Sequence, residues 1–295
     1  MGAAPTQRRE LFAAALISLL AFGCLAGAAQ AGGYRYVSKE GSDRNPCTNL
    51  LPCRSFSRAY SVASPGSTVI VRRGSYPSQR LTFDLRKESG RDVVIRAAPG
   101  SKVTVRGTID VLARHVELRG FHTHVWAVRS PAADVTLRSV FADHFVIAGA
   151  TEVSVLGGTL GPAKNATNLI TTASAYGIKP SQDVLLDGLT FRSYRGTGGY
   201  SAPCLRVDGV VGVVVRGSMF SDCDDGGLLF ASAGPAGAPR DVTLENNVIV
   251  CCKSGAAAIR LDGSSGELWS GFLVRNNSSI GAFTIASERL VCPVP

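Results

Sequence analysis

Histidine is scarce in this chain, with four in 295 residues: His115, His122, His124 and His144. All four lie far from Cys204, Cys223, Cys251, Cys252 and Cys292, so the Cys/His spacing of a zinc module is missing. After the first 31 residues no apolar run reaches membrane-spanning length, which excludes a helical span in the mature chain. The fixed leucine and asparagine spacing of leucine-rich repeats is absent as well.

What the first residues do contain is an export pattern. Arg8 and Arg9 give a positive start, Leu11 to Leu25 an apolar run, and Ala29-Gln30-Ala31 a small-residue cleavage site. Residues 1–31 therefore read as a signal peptide and residues 32–295 as the mature domain. Phe22 is too bulky for a lipobox at Cys24, and Glu10-Leu11-Phe12 matches a twin-arginine signal poorly, so ordinary secretion is expected. Cleavage leaves 29 Lys and Arg against 21 Asp and Glu, a charge of +8. A basic surface outside the cell suits acidic polymers such as uronate polysaccharide or wall polymers, and nucleic acid only nonspecifically. Seven cysteines survive cleavage, an odd number, and most should pair in an oxidising compartment. Cys47 and Cys53 enclose a short Asn/Pro loop and are expected to bond.

Seven stretches repeat the pattern apolar-x-apolar, then often Gly, Ser or Asn. They begin at Val116, Val135, Val153, Val184, Val213, Val242 and Phe272, with successive spacings of 19, 18, 31, 29, 29 and 30 residues. Each is too short to bury its own apolar face, and repetition at such a period is the mark of a solenoid. Val, Ile, Thr and Phe dominate while Gly and Asn punctuate, so the units are strands and tight turns. Propeller blades need about 40–50 residues each. A parallel β-helix remains.

Three segments carry a family resemblance: Gly41-Ser42-Asp43-Arg44-Asn45-Pro46-Cys47; Pro52-Cys53-Arg54-Ser55-Phe56; and Pro65 to Val71 with Gly74-Ser75-Tyr76. Together with the repeats they resemble secreted right-handed parallel β-helix proteins of the pectate-lyase-like type, over nearly the whole mature chain. The resemblance implies an all-β, single-stranded solenoid whose opening region, 32–75, holds an amphipathic capping helix. Phe56, Ala59, Tyr60 and Ala63 lie at the helical spacing such a cap needs.

The near-constant period lines up residues of successive coils, about 4.8 Å apart. Asp187, Arg216, Glu245 and Arg275 form one column of alternating charge, read as a structural ladder. A second column stacks Lys164, Arg195, Asp224 and Lys253, and places Cys223 beside Cys252 as the expected cross-coil disulfide. A third holds Lys179, Arg206, Leu229 and Arg260, with Asp208 and Asp262 two residues further on. Elimination on a uronate polymer needs a base, a cation to neutralise the carboxylate, and a proton for the leaving oxygen. Lys253 is the candidate base, with Asp224 and Arg195 beside it. Lys179, Arg206 and Arg260 are the candidate substrate-binding cations, and Asp222 and Asp225 the candidate calcium ligands. The bland alternative is that Arg195, Asp224 and Lys253 form another structural ladder, which stacked coils produce readily.

Adjacent Asp224 and Asp225 resemble the paired aspartates of polygalacturonase-type β-helix hydrolases. The chain has no Gly-His-Gly, Asn-Thr-Asp or Arg-Ile-Lys motif, and no Arg-x-Pro-x-x-Arg of pectate lyases, so no enzymatic subfamily signature is met. His122 and His124 lie on one strand face without an evident third ligand, and read as a partly exposed pair. Two functions follow as expectations: a secreted lyase acting on acidic polysaccharide, or a noncatalytic glycan-binding or adhesion β-helix. Charges clustered in one groove favour the first, and charges paired off around the coils favour the second. No C-terminal cap is evident near Val291-Cys292-Pro293, and an uncapped sheet end invites association.

Overall fold

A computed structural model describes residues 33–88, 90–172, 179–232, 236–250, 256–263 and 269–280, and the backbone of 283–285. The apolar-x-apolar runs become parallel strands wound into a right-handed β-helix with three faces, as the repeat predicts. The first face stacks Tyr34–Val37, Thr68–Val71, Val93–Ala97 and Arg114–Arg119. It continues through the opening halves of Ala133–Ala142, Thr151–Leu160 and Gln182–Arg195, then Val211–Arg216, Arg240–Glu245 and Ser270–Arg275. The second face includes Met219–Cys223 and Val248–Val250, and the third Leu205–Asp208, Leu228–Ala231 and Ile259–Asp262.

Strand alternation sends every second side chain of the first face inward. Val69, Ile95, Leu118, Leu137, Val155, Leu186, Val215 and Leu244 form one such column by register, each with at most 1% exposure. Phe191 and Phe220 continue the stacking on the second face, 4.6 Å apart and nearly parallel. Burying a column of this kind supplies the favourable energy that no single coil has alone.

The corner between the first and second faces turns on one left-handed residue per coil, including Gly188, Gly217, Asn246 and Asn276. The next residue points inward and satisfies backbone from coil to coil. Leu189 N donates to Ser218 Oγ at 3.1 Å, Ser218 N to Asn247 Oδ1 at 3.0 Å, and Asn247 N to Asn277 Oδ1 at 2.9 Å. The amide of Asn247 returns a hydrogen bond to Val215 O at 2.8 Å. A buried corner thereby keeps its polar groups paired.

The capping helix spans Phe56–Val62, with Ser55 as N-cap and Phe56, Ala59 and Tyr60 buried. Phe56 packs its ring on Tyr76 and Phe121, and Tyr60 Oη donates to Arg114 O at 2.8 Å. The expected alternation of Asp187, Arg216, Glu245 and Arg275 is present in register, with Arg216–Asp187 at 2.8 Å and Arg275–Glu245 at 2.6 Å.

Cys47–Cys53 is formed as expected. The second bridge corrects the sequence reading: Cys223 bonds Cys204, so it has no bond to give Cys252, which lies outside the described residues. Cys204 immediately precedes the third-face strand Leu205–Asp208, while Cys223 closes a strand of the second face on the following coil. Both are buried, and they meet across an inner corner with Cα atoms 5.5 Å apart. Cys204→Ser is expected to cost about 2–4 kcal/mol, read as a fall in denaturation midpoint against the wild type under non-reducing conditions. An unchanged midpoint would show that the bridge does not hold this corner.

Candidate functional site

Of the residues the sequence singles out, Arg195, Asp222, Asp224 and Asp225 come together at the end of the second face. The Arg195 guanidinium donates to both carboxylate oxygens of Asp222 at 2.6 Å, to Asp222 O at 2.9 Å and to Asp224 Oδ1 at 3.2 Å. Asp222 also accepts from Ser193 Oγ at 2.9 Å, and these donors hold its carboxyl below the usual range. Asp224 is buried and accepts from Gly196 N at 3.1 Å, while Asp225 accepts from Ala202 N at 2.6 Å. The cluster is thus a clasp on the loop 196–202. Asp222 and Asp225, the candidate calcium ligands, are each held by these donors, and the group of metal-ligating side chains that converges among the described residues lies elsewhere, at Asp92, His115 and Asp134. Lys253 lies outside the described residues.

The third-face column is also altered. Arg206 stands opposite Leu229, and Leu229 opposite Arg260, as the spacing predicts. The position before Arg206 belongs to Leu169, however, and not to Lys179. The insertion that follows Asn168–Thr171 pushes Lys179 past the strand to an exposed place. Arg206 closes on Asp208 with Nε 2.9 Å from each oxygen, and Arg260 closes on Asp262 at 2.6 Å. Burial raises Asp208 above the usual carboxylate range, against the pull of Arg206.

A different cluster has no such closure. On the second face His122 pairs in register with Phe141, and the two rings stack at 4.6 Å and 11°. They form one wall of a cleft of about 370 Å³ that Thr123, Asp143, Thr159 and Arg192 also line. Arg192 is exposed and makes no ion pair among the described residues. Burial, reinforced by Lys102, lowers His122 below the usual histidine range, so the ring is neutral at neutral pH. At the cleft's edge His124 Nδ1 lies 2.9 Å from Asp143 Oδ2. The backbone of Asp143 is pinned in turn, since its carbonyl accepts from Tyr194 Oη at 2.6 Å and its N–H donates to His124 O at 3.0 Å. An imidazole whose Nδ1 proton is held by a carboxylate presents Nε2 as a base.

No family model matches the chain. The uncharacterized protein YwoF of Bacillus subtilis is 33% identical over 78 residues, which is 26% of this chain and only 16% of that protein. Among solved structures, an alginate lyase from Paenibacillus superposes with a TM-score of 0.59 over 88% of this chain and 99% of its own, at 11% identity. A rhamnogalacturonan lyase reaches a TM-score of 0.47 at 12% identity, covering 79% of this chain and 74% of its own. The fold is a parallel β-helix. Identity this low speaks for architecture and leaves chemistry to the residues of the cleft.

The sequence singles out His122 and His124 but sets them aside for lack of a third partner. The signal that connects them to a site is the spacing from His122 to Phe141, 19 residues, the same step as from Val116 to Val135.

Proposed function

We propose that the protein is exported by its first 31 residues and acts on a uronate-containing polysaccharide in the second-face cleft, cleaving it by β-elimination. The observation that carries this reading is Arg192, a cation that makes no ion pair among the described residues, beside the stacked rings of His122 and Phe141. An aromatic wall receives the apolar face of a sugar ring, and a guanidinium holds a uronate carboxylate in bidentate fashion. Neutralising that carboxylate acidifies the adjacent C5 proton. His124 Nε2 takes this proton, the C5–H electrons form the C4–C5 double bond, the C4–O bond breaks, and water protonates the departing oxygen. The likeness to an alginate lyase supports a sugar ligand only through fold analogy.

The test is ultraviolet absorbance of the unsaturated product, with pectate, alginate and glycosaminoglycans offered to residues 32–295. A rise that falls about 100-fold or more in His124→Ala supports elimination with this base. A rise unchanged in that variant returns the role to Lys253. One feature favours a second reading, a noncatalytic glycan binder: Arg195, Arg206 and Arg260 are all closed on neighbouring carboxylates. A flat absorbance trace together with retention on one immobilised polymer would select it.

A further inference from the structure

Asp92, His115 and Asp134 each stand one residue before a first-face valine, Val93, Val116 and Val135: Asp92 just ahead of its strand, His115 and Asp134 as the second residues of theirs. Those three valines are register partners on successive coils, so the corner stacks a carboxylate, an imidazole and a carboxylate. One ligand atom from each residue lies within 4.8 Å of the others. His115 Nδ1 is 2.7 Å from Asp134 Oδ2, and all three side chains are half-buried. Burial and the charge of Asp134 raise Asp92 above the usual carboxylate range, with Glu117 adding to the rise and His115 opposing it.

We propose that Asp92, His115 and Asp134 form a binding site for a divalent transition-metal ion such as Zn²⁺. A site with one imidazole nitrogen and two carboxylate oxygens suits Zn²⁺, Co²⁺ or Mn²⁺, whereas Ca²⁺ takes oxygen ligands alone. Water completes the coordination shell on the solvent side. The metal displaces the proton shared between His115 and Asp134, and draws the ligand atoms toward about 2.0–2.2 Å from its centre. It then ties together three coils that are otherwise joined there by backbone hydrogen bonds and packing. The site is independent of the second-face cleft, because none of its ligands lines that cleft.

The test is calorimetric titration of residues 32–295 with Zn²⁺, with Co²⁺ in parallel for its visible absorption and Ca²⁺ as the oxygen-only comparison. The variants are Asp92→Asn, His115→Asn and Asp134→Asn. His115 and Asp134 have φ of 51°, a conformation asparagine tolerates better than alanine, so these changes remove a ligand without straining the backbone. Circular dichroism reports whether each variant keeps the wild-type strand content. The expected result is one saturable Zn²⁺ equivalent, a Co²⁺ band, no saturable Ca²⁺ binding, and at least about tenfold weaker Zn²⁺ binding in each folded variant. Zn²⁺ binding that is absent from the wild type overturns the proposal. Equal binding in the three variants, with loss in His124→Asn instead, overturns it as well and assigns the ion to the His124–Asp143 pair.

Discussion

Gly158→Ala is expected to destabilise the protein by about 3 kcal/mol or more, while Gly188→Ala costs only about 1 kcal/mol. Both glycines have positive φ, 130° at Gly158 and 65° at Gly188, so each substitution strains its own backbone. The neighbours separate them. A Cβ on Gly158 would lie 2.0 Å from Val140 O and 2.5 Å from Val140 N, on the preceding coil. A Cβ on Gly188 meets nothing within 4 Å. Backbone cannot swing aside as a side-chain tip can, so two coils must part at Gly158 and lose the ladder between Thr151–Leu160 and Ala133–Ala142. Urea denaturation of both variants measures the difference. Equal midpoints would mean that inter-coil contact at Val140 does not govern the result.

Arg192→Ala is expected to weaken binding to an acidic oligosaccharide by about tenfold to 100-fold, the worth of a charge-assisted hydrogen-bonded pair. Arg206→Ala should change that binding less than about twofold. The difference rests on what each guanidinium faces: Arg206 is closed on Asp208 at 2.9 Å, and Arg192 lines an open cleft without an ion pair among the described residues. Removing Arg192 should leave thermal stability unchanged, since an exposed side chain of this kind contributes little to the fold. Calorimetry with a defined oligouronate separates the two arginines. Equal losses in both variants would place the ligand elsewhere or spread it over both faces.

The fold was legible because stacking imposes a period, and the inward valines and leucines from Val116 to Val242 display it directly. The charge column was legible for the same reason, lying three residues from the alignment point where every corner is tight. Lys179 was misplaced because its coil is 31 residues long and carries its extra length between the strand and the lysine, so counting back from Arg206 misses Leu169. The Cys204–Cys223 bridge joins strands of different faces, and no alignment of equivalent positions can bring those together. The second-face cleft went unread because it draws on coils of unequal length. Closure of the clasp was likewise invisible: the sequence stacks Arg195 on Asp224 but does not reveal that Asp222 holds the same guanidinium.

The alternating column of Asp187, Arg216, Glu245 and Arg275 restricts how a chain of this kind can lengthen or shorten. Excising the single coil that carries Arg216 would set Asp187 against Glu245, like charge upon like. Excising that coil and the next together would set Asp187 against Arg275 and restore an opposite pair. The electrostatic repeat unit along this edge is therefore two coils although the structural unit is one, so duplications and deletions are tolerated best in even numbers.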